Sequence, residues 1–135
     1  MRVMVDANIL YSAILYPGRR VDIALQLALN NHTLVISTFT KEEIFRKVEQ
    51  KAPAQLFRVY VFFEQTQYEL VQTPADIAPG LFSIRDPDDY PVLYSAIVAD
   101  VDILITGDKD FAEVRVDKPE ILTPARFLEK YAAAT

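Results

Sequence analysis

Ile103-Leu104-Ile105-Thr106-Gly107-Asp108-Lys109-Asp110 sets the fold class. Its three leading aliphatic residues lack polar alternation, which is the pattern of a strand buried on both faces. A Thr-Gly step then delivers two carboxylates just beyond the strand. Arg2-Val3-Met4-Val5 repeats the pattern and is closed by Asp6. Leu34-Val35-Ile36 repeats it again, and Tyr68 to Val71 and Ile121-Leu122 supply two further short strands. The stretches between them are helical. Ile9 to Leu15 is helix-like until Pro17-Gly18. Val21, Ala24, Leu25, Ala28 and Leu29 recur at helical spacing as far as Asn30-Asn31. Thr40-Lys41-Glu42-Glu43 opens a helix to about Lys51 with a capping-box pattern, in which Glu43 is the return partner of Thr40. Pro53 starts a helix bearing Leu56, Val59, Tyr60 and Phe63. Pro91 to Ala99 is helical, and Thr123-Pro124 caps a last helix through Tyr131. Thr73 to Asp89, with three prolines, reads as loop, and the Ala132 to Thr135 tail as frayed. Strands without alternation, separated by helices, predict an α/β fold with a mostly parallel central sheet, covered on both faces.

Composition narrows the chemistry. The 135 residues predict a single domain over residues 1–135. With no Cys, the chain has no disulfide scaffold, thiolate metal site or thiol nucleophile. The only His, His32, reads as a solvated turn residue, and no G-x-S-x-G elbow accompanies it, so a Ser-His-Asp hydrolase is excluded. Lys and Arg total 14 against 19 Asp and Glu, a net charge of −5, so any nucleic-acid face must be local. No apolar run approaches the ~20 residues of a bilayer span, which points to the cytoplasm.

Carboxylates are what the chain has in plenty, and several fall where open parallel sheets gather function, beyond the carboxyl ends of the strands. Asp6 follows the first strand and Asp108 the Ile103 strand. Glu43 lies near the start of the helix after Leu34-Val35-Ile36, and Asp86-Pro87-Asp88-Asp89 precedes the Pro91 helix. Such a cluster, without His or Cys, suits a hard oxygen-seeking cation, Mg²⁺ or Mn²⁺, which orients water for attack on phosphorus. Each acid also has a local role within reach. Glu43 can cap, Asp88 and Asp89 can cap the following helix, and Asp108 and Asp110 can form a turn. Asp6-Ala7-Asn8 can form a turn or an N-cap, and Asn8 can cap the first helix or orient Asp6 and a metal-bound water, with capping the stronger reading.

These segments resemble the PIN-domain family. Val3-Met4-Val5-Asp6-Ala7-Asn8-Ile9-Leu10 is similar to the family's opening strand, acid and Asn. Leu34-Val35-Ile36-Ser37 with Glu43, Asp86-Pro87-Asp88-Asp89 before Pro91-Val92-Leu93, and Leu104-Ile105-Thr106-Gly107-Asp108-Lys109-Asp110-Phe111 are similar to its later acidic motifs, in family order over residues 1 to 125. The resemblance implies a three-layer α/β/α sandwich and a Mg²⁺- or Mn²⁺-dependent ribonuclease. The nearest subgroup pairs a D-P-D-D segment with T-G-D-K-D, and small members of this kind are toxins of VapBC-type toxin–antitoxin pairs. It implies Asp6, Glu43, Asp89 and Asp108 as the acidic quartet, Asp110 as an auxiliary acid, and a homodimer covered by an antitoxin segment. Many members carry another Asp where this chain has Tyr90, so the third acid is Asp88 or Asp89. The cations that an RNA substrate would need are Arg19, Arg20, Arg46, Lys47, Lys51 and Arg58, all equally at home on a solvated helix surface.

Other readings fit less well. A phospho-acceptor receiver domain wants paired acids ending its first strand, where Val5 precedes Asp6, and an Asp where Ser37 stands. An aspartyl phosphatase needs an Asp where Asn8 stands and a Thr where Leu10 stands. A PIN-like binding module without activity is compatible with the sequence, although four acids retained at strand ends speak for an active site.

Overall fold

The computed structural model describes residues 1–132. In chain order the elements are β1 (Arg2–Val5), α1 (Ala7–Leu15), α2 (Arg20–Asn31), β2 (Thr33–Ser37), α3 (Thr38–Lys51), α4 (Leu56–Gln65), β3 (Glu69–Val71), α5 (Tyr90–Val98), β4 (Ile103–Ile105), β5 (Glu120–Leu122) and α6 (Pro124–Tyr131). Short 3₁₀ helices cover Pro53–Gln55, Pro87–Asp89 and Lys109–Glu113. The sheet runs β3-β2-β1-β4-β5, and every pair is parallel. Val3 stands level with Leu34 on one side and Ile103 on the other, which puts the three unalternating runs together at the sheet's centre.

Alternate residues of those runs feed two cores. Val3, Val5, Leu34, Ile36, Ile103 and Ile105 pack beneath α1, α2, α3, α4 and α6, around Leu25, Ile44 and Phe127. Met4, Val35 and Leu104 face the opposite layer, built from α5 and its neighbouring loops through Leu93, Phe82 and Phe111. The result is an α/β/α sandwich, as expected from strands apolar on both faces. One helix layer is thick. The other rests on a single helix, whose end is closed by a Schellman turn. Asp100 adopts φ 56°, and the Asp100 and Val101 amides bond to the carbonyls of Ile97 and Ala96.

The strand order places a topological switch point at β1. The chain lays β2 and β3 to one side and then crosses to lay β4 and β5 on the other. Where the order reverses, neighbouring connections leave in opposite directions and open a crevice beyond the carboxyl ends of β1 and β4. Among the described residues, no helix is long and apolar enough to cross a membrane.

Three local expectations need correction. First, α3 begins at Thr38, and its cap is Ser37, whose Oγ accepts the Thr40 amide at 3.1 Å. β2 runs into α3 without a loop, so the last strand residue serves as N-cap. Thr40 lies inside the first turn and Glu43 in the second, which releases Glu43 from capping. Second, α1 begins at Ala7, and Asp6 rather than Asn8 caps it, its Oδ1 accepting the Ile9 amide at 2.9 Å. Third, His32 is half-buried rather than solvated, with Phe127 and Tyr131 each 6.1 Å away edge-on. It precedes β2, at the end of the sheet opposite the acids. Of the expected frayed tail, residues 133–135 lie outside the described residues.

The reassigned cap has a measurable consequence. Ser37→Ala should lower metal-free stability in urea by about 1 kcal/mol, the usual cost of a lost N-cap. Glu43→Gln should lower it by less than half as much; equal losses would restore Glu43 as the capping partner.

Candidate metal centre

Asp6 is 5% exposed at the end of β1. Its Oδ2 accepts the hydroxyl of Thr106, the residue just after β4. The same Thr106 oxygen accepts the Asp108 amide at 3.1 Å. One hydroxyl therefore ties the ends of the two central strands together and fixes where Asp108 leaves the sheet. Asp108 Oδ1 in turn accepts the Asp110 amide at 2.9 Å, opening the 3₁₀ helix over Lys109–Glu113.

The Asp86-Pro87-Asp88-Asp89 segment forms a second arm. Asp86 Oδ1 accepts the Asp88 amide at 2.9 Å and caps the 3₁₀ helix there. Asp86 is the cap of that helix and Asp89 its last residue, and the single turn brings their carboxylates together. Asp110 meets them, and carboxylate oxygens of Asp86, Asp89 and Asp110 lie within 4.8 Å of one another. Arg85 balances part of this charge through its Nε, 3.1 Å from Asp110 Oδ1.

Asp88, Asp89 and Asp108 then line a cavity of about 590 Å³ whose facing wall is α3. Glu43, Arg46, Lys47 and Gln50 enter it from one stripe of that helix, at i, i+3, i+4 and i+7. Lys47 donates to Asn8 Oδ1, and its ammonium lies 4.7 Å above the Tyr11 ring. Of the acids singled out from the sequence, Glu43, Asp86, Asp88, Asp89 and Asp108 share the cavity, and of the candidate cations Arg46 and Lys47 do. Asp110 joins through Asp86 and Asp89. Asp6 lies behind them, almost closed off, and joins through Thr106.

Burial and mutual repulsion shape the protonation of these groups. Burial pushes Asp6 up from the usual carboxylate range, opposed by its bonds from Thr106 and the Ile9 amide. Burial likewise raises Glu43, with Arg46 opposing. Asp89 is pushed up to about 7, first by burial, then by the charge of Asp108 and by Asp86 and Asp110. Its Oδ2 is buried without any hydrogen-bond donor. A carboxylate oxygen left without a donor among other carboxylates is a place for a proton or a cation. The donors are all oxygen, so the residues fit Mg²⁺ or Mn²⁺.

A sequence model of the PIN domain matches residues 2–110, a span that includes every acid described above. The chain belongs to the PIN-domain family. A search of curated proteins finds no match to this PIN domain. Solved structures share its fold. VapBC2 of Rickettsia felis, solved on a DNA fragment from its promoter, has a chain that superposes with a TM-score of 0.67 at 23% identity, covering 90% of this chain and 97% of that one. The DNA-bound VapBC of Salmonella typhimurium gives 0.65 at 16% identity, over 92% and 98%. VapC20 of Mycobacterium tuberculosis, a toxin that cleaves the sarcin-ricin loop, gives 0.62 at 12% identity, over 82% and 92%. The fold is thus VapC-like.

Asp86 and Thr106 are the parts of the centre whose roles the sequence reading missed; Arg46 and Lys47, named there as candidate cations for RNA, were given no place in the cavity. The spacing of Asp86 and Asp89 was visible but informative only once a 3₁₀ helix was known to lie there. The i, i+4 spacing of Glu43 and Lys47 was a usable signal, since it places cation and acid on one helix face.

The raised Asp89 carboxyl fixes a pH response. Its folded pKa lies above the unfolded value, so the native state holds the extra proton between about pH 4 and 7. Its contribution to stability is full below that window and is lost as pH rises through it. With chelator present, urea midpoints should therefore fall from pH 5 to pH 8, and Asp89→Asn should flatten the decline. An unchanged slope in the variant would assign the response elsewhere.

Proposed function

We propose that this PIN domain is a metal-dependent endoribonuclease and the toxin of a type II toxin–antitoxin pair, acting in the cytoplasm. The observation that carries the reading is the unpartnered Asp89 oxygen among converging carboxylates at the switch point. Family membership and the VapC-like fold support it.

Asp6, Glu43, Asp89 and Asp108 form the catalytic quartet in this reading, with Asp86, Asp88 and Asp110 completing the oxygen donors available to Mg²⁺ or Mn²⁺. An ion held by these oxygens would acidify a water and offset charge on the phosphodiester. Glu43, whose carboxyl burial raises, takes up a proton on the cavity's α3 wall. Lys47, held by Asn8 and Tyr11, presents a cation to a phosphate oxygen. Thr106 keeps Asp6 and Asp108 in register.

With Mn²⁺, the purified protein should cut single-stranded RNA and leave a 5′-phosphate and a 3′-hydroxyl, read by end-labelling. Asp89→Asn and Asp108→Asn should lower kcat at least a hundredfold, in line with loss of a charge-stabilising group. A 2′,3′-cyclic phosphate product would show attack by the 2′-hydroxyl and contradict the role given to water.

The partners in this reading are RNA, a second copy of the chain and a cognate antitoxin. Phe57, Tyr60 and Val61 on α4 are 59%, 60% and 44% exposed, a patch suited to a homodimer. Phe62 and Phe63 pack against the core instead, so Tyr60 is the cleaner probe. The antitoxin would present an Arg to the carboxylates, matching them bidentately. Light scattering should give twice the chain mass, and Tyr60→Glu should reduce it to one. A monomeric wild type at high micromolar concentration would remove the interface and leave the nuclease reading intact.

A further inference from the structure

A second cavity, of about 490 Å³, opens on the far side of Asn8 and Asp108 and shares both residues with the acid cavity. Its walls come from α1, the start of α2, the turn after β4 and the start of α6, so it lies on the same carboxyl rim of the sheet. Its chemistry differs from that of its neighbour. Asp108 is its only carboxylate, Val21 and Ala125 contribute apolar lining, and Arg20 stands at its wall. Among the described residues, the Arg20 side chain makes no hydrogen bond, ion pair or ring contact. An unpaired guanidinium beside an apolar hollow fits a group with an anionic edge and a flat apolar body.

We infer that this cavity is a nucleotide subsite. The RNA strand crosses the Asn8–Asp108 ridge, with its reacting phosphate on the acid side near Lys47. The adjoining nucleotide sits in the second cavity, its base on the apolar lining and its outer phosphate on Arg20. The inference rests on the ribonuclease reading and extends it. Base preference is set in a cavity that adjoins the metal-ligating cluster through Asp108, and Arg20 is a specificity and binding residue without a role in the chemical step. Charge complementarity argues for this occupant. The acid cavity sets five carboxylates against Arg46 and Lys47, whereas the second cavity sets Arg20 against one, so an outer phosphate meets less repulsion there.

The test uses the full chain and a short fluorescent single-stranded RNA. Binding is read by anisotropy without divalent metal across a salt series, and cleavage sites are then mapped with Mn²⁺. Arg20→Gln should weaken binding roughly three- to tenfold and reduce the salt slope by about 0.7, the share of one phosphate contact on a single strand. Ala125→Trp fills the cavity from α6, and Ser12→Phe fills it from α1. Whichever of these two keeps the wild-type melting temperature should weaken binding and shift the cleavage sites. Wild-type affinity and an unchanged cleavage pattern in the filled variant would overturn the subsite. That holds even if Arg20→Gln weakens binding, since Arg20 would then be a surface charge beside an empty hollow. A wild-type protein that neither binds nor cuts RNA would instead contradict the ribonuclease reading itself.

Discussion

Thr106 donates its hydroxyl to Asp6 across the ends of β4 and β1 and receives the Asp108 amide on the same oxygen. The acids of the centre depend on that junction. Asp6 caps α1, so its carboxylate also fixes the direction in which that helix leaves the sheet. Asp108 opens the 3₁₀ helix that brings Asp110 to Asp86 and Asp89. A single buried hydroxyl thus couples the start of one helix, the exit of another strand and the spacing of the carboxylates. Its buried position strengthens the arrangement, because water cannot replace either bond.

The same rim concentrates negative charge that the metal-free protein must tolerate. Burial and neighbouring acids hold the Asp89 carboxyl near neutrality, and Arg85, Arg46 and Lys47 offset part of the rest. The sandwich beneath supplies the stability that allows this. Its central strands are buried on both faces and feed two hydrophobic cores. A site held in unfavourable electrostatics by a well-packed scaffold is what cation binding requires, since the ion then relieves a cost already present.

Much of this was legible in the sequence, for physical reasons that differ by element. β1, β2 and β4 were visible because central parallel strands lose polar alternation. α6 was visible because Thr123-Pro124 marks its start in two independent ways. The start of α3 was misread because Thr40 and Glu43 satisfy a capping-box spacing, while the true cap depends on a strand that ends with no loop after it. The acids after strands could be placed from topology alone. The pairing of Asp86 with Asp89 could not, because a short 3₁₀ helix in a proline-rich loop leaves no periodic signal. Lys47 reaches the cavity only through the packing of α3 beside α1, a contact between residues 39 apart in sequence.

The central claim is that the Asp89 carboxyl holds a proton which a divalent cation displaces. Calorimetric titration with Mn²⁺ in buffers of different ionisation enthalpy measures that displacement directly, because the apparent heat varies with the protons released. At pH 6 binding should release close to one proton, and at pH 8.5 almost none, as expected for a ligand group titrating at about 7. Binding with no proton release at pH 6, or no binding at either pH, would contradict the account.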